Sequence, residues 1–184
     1  MSKSAVLSGN NFPEYCFSEI IKGYIFFEFH FIFTDVFIDY LHKYLDYKNV
    51  TSIIIENSEP NQLVFKRVVS VSDFYDSFKM AVTANVDRGY IDAEMDFRMI
   101  TDLADIYPND QSGSFAIQLE RGYNIAVLGV SDSSDLRFFE DYYIDSIDEL
   151  VDFVSVNFDE SKVPPQIENK IREAWRFSVD PIIK

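Results

Sequence analysis

The sequence has little of the chemistry that most enzymes and metal proteins need. It contains one cysteine, Cys16, and two histidines, His30 and His42, in 184 residues. A single thiol excludes an internal disulfide framework and a cysteine-based zinc site, and it favours a reducing compartment. Cys16 and His30 are both expected to pack in the core. The reducing compartment predicts a cytoplasmic protein. Because no Gly-rich phosphate loop and no nucleophile motif occurs, we also predict that the protein is not an enzyme and uses no cofactor or metal.

Basic residues, glycine and proline are also scarce. The chain has 16 Lys and Arg against 31 Asp and Glu, a formal charge of −15. Such a surplus repels nucleic acids and anionic membranes and attracts cationic partners. With 6 Gly, 6 Pro and 47% hydrophobic residues, the composition excludes a disordered chain. The most apolar segment, residues 24–33, is too short for a membrane span and is interrupted by Glu28. We therefore predict a globular protein with a basic protein partner.

No Gly-rich, Ser-rich or Pro-rich linker divides the chain, and no repeat is visible. A chain of this length is predicted to form one domain, residues 1–184, in which residues 1–13 are an N-terminal segment without regular secondary structure.

The periodicity of apolar residues predicts an α+β fold with a largely antiparallel sheet of about six or seven strands and helices packed on one face. Strands are predicted at residues 24–33, 50–56, 62–70, 91–99, 115–120, 123–130 and 136–144, the first of them central in the sheet. Helices are predicted after a cap at Thr34 or Asp35, at residues 73–85, from Ser146 to about Asn157 and at residues 166–177. One helical turn is predicted at residues 101–107, where Pro108 ends it.

Residues 131–160 concentrate the negative charge, with ten carboxylates against one base, Arg137. Ser146 and Glu149 have the spacing of a capping box, which explains the acids next to them as the start of a helix. The acids from 132 to 145 have no such explanation. If residues 136–144 form a strand, Phe138, Glu140 and Tyr142 share one side, and Phe139, Asp141 and Tyr143 share the other. Aromatic and acidic side chains together favour an interface with a charged rim.

A second acidic row lies on one face of the predicted strand at residues 91–99. It allows three interpretations: a solvated strand face, an anionic recognition surface anchored by Tyr90, or a divalent metal site. The candidate partner-binding residues are Tyr90, Asp92, Glu94, Asp96, Asp132, Asp135, Phe138, Glu140, Asp141, Tyr142, Tyr143 and Asp145.

In size, acidity and aromatic content, with FFEDYYIDSIDELVDF as the most suggestive run, the chain resembles bacterial immunity proteins, which protect a cell from its own or its neighbours' toxins. That class has many folds and no shared motif, so no residue role carries over. The resemblance implies a cytoplasmic protein that binds and neutralises a basic toxin domain, commonly a nuclease. The alternative is a scaffold or homo-oligomeric assembly subunit whose charge keeps it soluble, and the oligomeric state stays open.

Overall fold

The computed structural model describes residues 5, 7, 10–57, 66–72, 103–109, 113–139, 143–144 and 146–175. Within these ranges the chain is α+β with an antiparallel sheet, which confirms the predicted fold class. The predicted helix at residues 73–85 and the predicted strand at residues 91–99 lie outside the described residues. The strand count predicted for the whole chain therefore stays a prediction.

The described strands form one six-stranded sheet in the order β1-β6-β5-β4-β2-β3, and every neighbouring pair is antiparallel. The strands are β1 (Gly23–Glu28), β2 (Ser52–Asn57), β3 (Lys66–Ser70), β4 (Leu103–Pro108), β5 (Phe115–Glu120) and β6 (Ile125–Val130). The α-helices are α1 (Asp35–Tyr47), α2 (Ile147–Ser155) and α3 (Pro165–Ala174). None of the helices in the described part of the chain is long and apolar enough to cross a membrane.

The first strand is shorter than predicted and is not central among the described strands. β1 ends at Glu28, opposite the first residue of β6, Ile125, and the chain continues as a 3-10 helix over Phe29–Phe33. Beyond this pair the Phe29 N–H donates to the Asn124 carbonyl at 2.9 Å, and the neighbouring chain then turns away through Asn124, whose φ is +55°, so the ladder ends there. His30 is exposed on this 3-10 helix, which corrects the prediction of a core histidine. β1 lies at one end of the strand order and is joined on its outer side by a single bridge, Phe26 to Ile144.

The helical turn predicted at residues 101–107 is wrong, because Leu103–Pro108 forms β4 between β2 and β5. Its Ile106 side chain is buried in the core, and Pro108 is the last residue of the strand. Pairing on both sides overrides the ambiguous local pattern.

The helices cover both faces of the sheet, which corrects the prediction of one covered face. Alternate strand residues point to opposite sides. Ile25 and Phe27 of β1 pack with α1, whereas Tyr24 and Phe26 pack with α2 and α3. We call these the α1 face and the Trp175 face, because Trp175 lies at the centre of the second cluster.

On the Trp175 face, residues from both ends of the described chain meet. The Trp175 ring lies within 6.1 Å, centroid to centroid, of the rings of Phe12, Tyr15, Phe17, Tyr24 and Phe26, and its Nε1–H donates to the Pro13 carbonyl at 3.0 Å. Cys16 is fully buried here, as predicted.

A small residue on the sheet makes this packing possible. A Cβ placed on Gly129 of β6 would come within 2.8 Å of side-chain atoms of both Phe17 and Ile21. Glycine therefore lets the segment before β1 lie directly on the sheet.

Two helix starts agree with the predicted caps. The Thr34 hydroxyl accepts a hydrogen bond from the Phe37 N–H at 3.3 Å, and the Ser146 hydroxyl accepts one from the Glu149 N–H at 3.1 Å. Each hydroxyl satisfies a backbone donor that the first helical turn leaves without an intrahelical partner.

Candidate protein-binding surface

The segment after β6 is a 3-10 helix over Ser133–Phe139, so the strand predicted for residues 136–144 is wrong in its first half. The Asp132 side chain starts the turn, because its Oδ1 accepts from the Ser134 N–H at 3.0 Å and from the Ser134 hydroxyl at 2.8 Å. With about three residues per turn, Leu136 and Phe139 fall on the same side, and both are buried in the α1 face. A strand would have placed them on opposite sides.

Asp135 is buried rather than exposed to a partner. Its side chain is 1% exposed, and its carboxylate forms an ion pair with the Nζ of Lys48, the residue that follows α1. The ion pair joins the 3-10 helix to the end of α1. In this structure, Asp135 therefore stabilises the fold below the surface.

Above this ion pair lies a group of aromatic and charged side chains that we call the Tyr47 surface: Tyr47, Lys48, Asp132, Arg137 and Phe138. Tyr47 is 53% exposed, and its ring lies 5.1 Å from that of Phe138. The Arg137 guanidinium lies 5.7 Å from the Tyr47 centroid and 5.3 Å from the Phe138 centroid. The Lys48 ammonium lies 5.4 Å from the Tyr47 centroid. Cations over ring faces are attracted by the ring quadrupole.

Tyr44 forms the floor of this surface. Its side chain is buried, its ring lies 5.7 Å from that of Phe138, and its hydroxyl donates to the Ser114 carbonyl at 3.0 Å. Burial, followed by the charge of Asp135, raises the pKa of Tyr44 well above its ordinary value. The ring therefore stays neutral, and it fixes the position of the side chains above it.

Asp132 supplies an exposed negative charge at the edge of the Tyr47 surface. Hydrogen bonds from the Ser134 side chain and backbone lower the pKa of Asp132, and Lys48 and Arg137 contribute in the same direction. The carboxylate therefore stays ionised at neutral pH.

The later part of the acidic stretch forms a separate surface on α2. Asp148, Glu149 and Asp152 are exposed, and Asp148 accepts a hydrogen bond from Arg172 of α3 at 2.8 Å. Val156, just after the helix, is 65% exposed. Unlike Asp135, these carboxylates lie where a partner can reach them.

Of the twelve predicted partner-binding residues, the structure describes four. Asp132, Asp135 and Phe138 lie together at the Tyr47 surface or below it, and Tyr143 is half-buried against the α1 face. The others lie outside the described residues: Tyr90, Asp92, Glu94, Asp96, Glu140, Asp141, Tyr142 and Asp145.

Sequence reasoning assigned no binding role to Tyr47, Lys48 or Arg137. A signal was present for Tyr47, because the three- and four-residue spacing of apolar residues in this helix predicts Phe37, Tyr40, Leu41, Tyr44 and Leu45 as its inward positions and leaves Tyr47 out. Lys48 and Arg137 carried no local signal, since only the contact between α1 and the 3-10 helix brings them to one place.

The Tyr47 surface carries no nucleophile paired with a base, and among the described residues no group of three or more His, Cys, Asp or Glu side chains could hold a metal ion. Burial raises the pKa of the Cys16 thiol well above its ordinary value, which keeps the thiol protonated and unreactive. The chain matches no family model, and no curated protein or solved structure matches it. The side chains of the Tyr47 surface are instead suited to contact with another molecule, through aromatic rings, two cations and a carboxylate.

Proposed function

We propose that this protein binds and neutralises a basic protein partner, and that the partner is a toxin domain of the nuclease type. The observation that carries the proposal is the formal charge of −15 together with the exposure of the carboxylates on α2. Carboxylates at the surface, unlike the buried Asp135, act on approaching molecules. They steer a basic partner towards association rates of about 10⁸–10⁹ M⁻¹s⁻¹ at low salt.

A nuclease is a suitable partner because it must hold phosphate groups with cationic side chains. Carboxylates fixed on helices can occupy the positions that phosphates take in such a cleft. Asp148 and Asp152 are spaced one helical turn apart on α2, so the helix holds them on neighbouring positions.

The Tyr47 surface supports a role in protein contact. Tyrosine and arginine are enriched among the interface residues that contribute most to affinity. Tyr47 and Arg137 are exposed, yet both lie against Phe138, and the Phe138 ring in turn lies against Tyr44. A rigid aromatic surface loses little side-chain entropy when a partner covers it.

The first test is whether a neighbouring reading frame encodes a basic nuclease-type domain, and the second is whether a catalytically inactive form of such a domain binds this protein. We expect a complex whose association rate falls steeply with salt, because ions screen the steering charges. No binding, or binding that salt leaves unchanged, would contradict the proposal. A homo-oligomer that persists at high salt in light scattering would support the assembly subunit instead.

Two variants of equal charge locate the contact. Asp148→Asn with Asp152→Asn changes α2, and Asp39→Asn with Asp46→Asn changes the exposed side of α1. Because each pair removes the same charge, an affinity difference between the two variants reports local contact rather than total charge. We expect the α2 variant to lose more affinity.

A further inference from the structure

Arg137 lies against two aromatic rings instead of a carboxylate. It is exposed, and within the described part of the chain no ion pair joins it to an acid. Arg172, by contrast, binds the carboxylates of both Asp148 and Glu168.

Within the described part of the chain, the ring contacts leave the hydrogen-bond donors of Arg137 available. A guanidinium meets a ring through its flat face, while its N–H groups point outward in its own plane, in a fork that fits a carboxylate. Lys48 lies beside the same ring, but its ammonium already binds Asp135. Arg137 therefore keeps donors for a group from outside the described fold.

The charge around Arg137 decides which anion fits. A nucleic acid brings a row of phosphates, which the charge of −15 and the ionised Asp132 repel. A single carboxylate on an otherwise basic protein avoids that repulsion, because the neighbouring cations of that protein meet Asp132. We propose that Arg137, supported by Tyr47 and Phe138, binds an Asp or Glu side chain of the basic partner and fixes the register of the complex.

This inference rests on the proposed function in requiring a protein partner, and it adds a specificity contact. General attraction between opposite net charges tolerates many orientations of the two proteins. A single ion pair of the opposite sense, with the base on this protein and the acid on the partner, favours one orientation. Burial of this pair under the partner would strengthen its hydrogen bonds.

The test uses a display library of short random peptides, so it does not depend on any nuclease. The library is selected on the wild type, on R137Q and on K162Q, a control that removes one positive charge at an exposed position elsewhere on the protein. We expect the wild type and K162Q to enrich peptides that combine Lys or Arg with an Asp or Glu. A synthetic peptide from that set should bind R137Q roughly tenfold more weakly or worse. Replacing its acid by the amide should weaken binding to the wild type but not to R137Q.

Several outcomes would overturn the inference. They are no enrichment on the wild type, enriched peptides without an acid, equal binding by R137Q, or Arg137-dependent binding of single-stranded DNA. Thermal unfolding checks the fold of R137Q, and R137K, which keeps the charge without the fork, should still bind several-fold more weakly. If a nuclease domain binds regardless of Arg137, only this inference fails. If the selected peptides need Arg137 to bind but no nuclease domain binds the protein, only the nuclease proposal fails.

Discussion

The two faces of the sheet are covered by segments from different parts of the chain. The α1 face is covered by a helix that begins at Asp35, shortly after β1 ends at Glu28. The Trp175 face is covered by residues around Phe12 and by α2 and α3, which come from opposite ends of the described chain. Both faces nevertheless require distant segments to meet, because the 3-10 helix over Ser133–Phe139 packs on the α1 face and the segment around Phe12 packs on Trp175.

Each face also buries a different polar interaction. The α1 face holds the ion pair between Asp135 and Lys48. The Trp175 face holds Gln118 of β5, which is fully buried. The Gln118 amide donates to the Asn10 carbonyl at 3.3 Å and to Asn11 Oδ1 at 3.1 Å, and its Oε1 accepts from the Phe12 N–H at 3.1 Å. One face thus fixes a helix end by charge, and the other fixes an extended segment by amide hydrogen bonds.

The largest expected effect is on the Trp175 face. Trp175, the last described residue, contacts rings near the N-terminal end of the chain, and we expect Trp175→Ala to lower the free energy of unfolding by about 3–5 kcal/mol. Urea unfolding measures this loss. Leu41→Ala, a truncation in α1, should cost about 2–5 kcal/mol without exposing Cys16 to a thiol reagent. Equal thiol labelling in both variants would contradict the independence of the two faces.

Next is the buried ion pair of the α1 face. Asp135→Asn removes the counter-charge of Lys48, and we expect a loss of about 3 kcal/mol, at the low end for a broken buried pair, because Lys48 is 21% exposed and can reach water. Lys48→Met leaves Asp135 buried at 1% exposure without a counter-charge and should cost more. Denaturant unfolding of both variants tests the order, and a more stable Lys48→Met would contradict it.

A smaller effect is expected for Gln118→Ala, which removes the bonds that hold the segment at residues 10–12. The Phe12 N–H loses its acceptor, so we expect a loss of about 1–3 kcal/mol. Hydrogen exchange of the Phe12 amide should speed up more than exchange in α1. Unchanged exchange at Phe12 would show that packing against Trp175 alone holds this segment.

The smallest effects come from a matched pair of helix caps, one on each face. Thr34→Ala at α1 and Ser146→Ala at α2 each remove a hydroxyl acceptor, and each should cost about 1 kcal/mol. Thermal unfolding of Thr34→Ser and Ser146→Thr provides the control, since the acceptor is kept. A loss well above this value at Ser146 would mean that α2 depends on its cap more than α1 does.

The predictions from sequence succeeded where the cause is local. The caps at Thr34 and Ser146, the hairpin of β5 and β6, and α1 all follow from periodicity and short-range hydrogen bonding. They failed at β4 and at residues 29–33, where pairing between strands decides the conformation. At the Tyr47 surface, only part could be predicted: Phe138 and Asp132 were proposed from composition, but Tyr47 and Arg137 required the packing of α1 on the 3-10 helix.

The sequence by itself determined the fold class, the helix starts and the strong negative charge, because each depends on residue type or on neighbours within a few positions. Only the tertiary structure decided that both sheet faces are covered, that Asp135 is buried beside Lys48, and that Arg137 lies on Tyr47 and Phe138. The reason is physical. A carboxylate in the sequence is the same whether it faces water or an ammonium group, and only the arrangement of distant segments sets its surroundings.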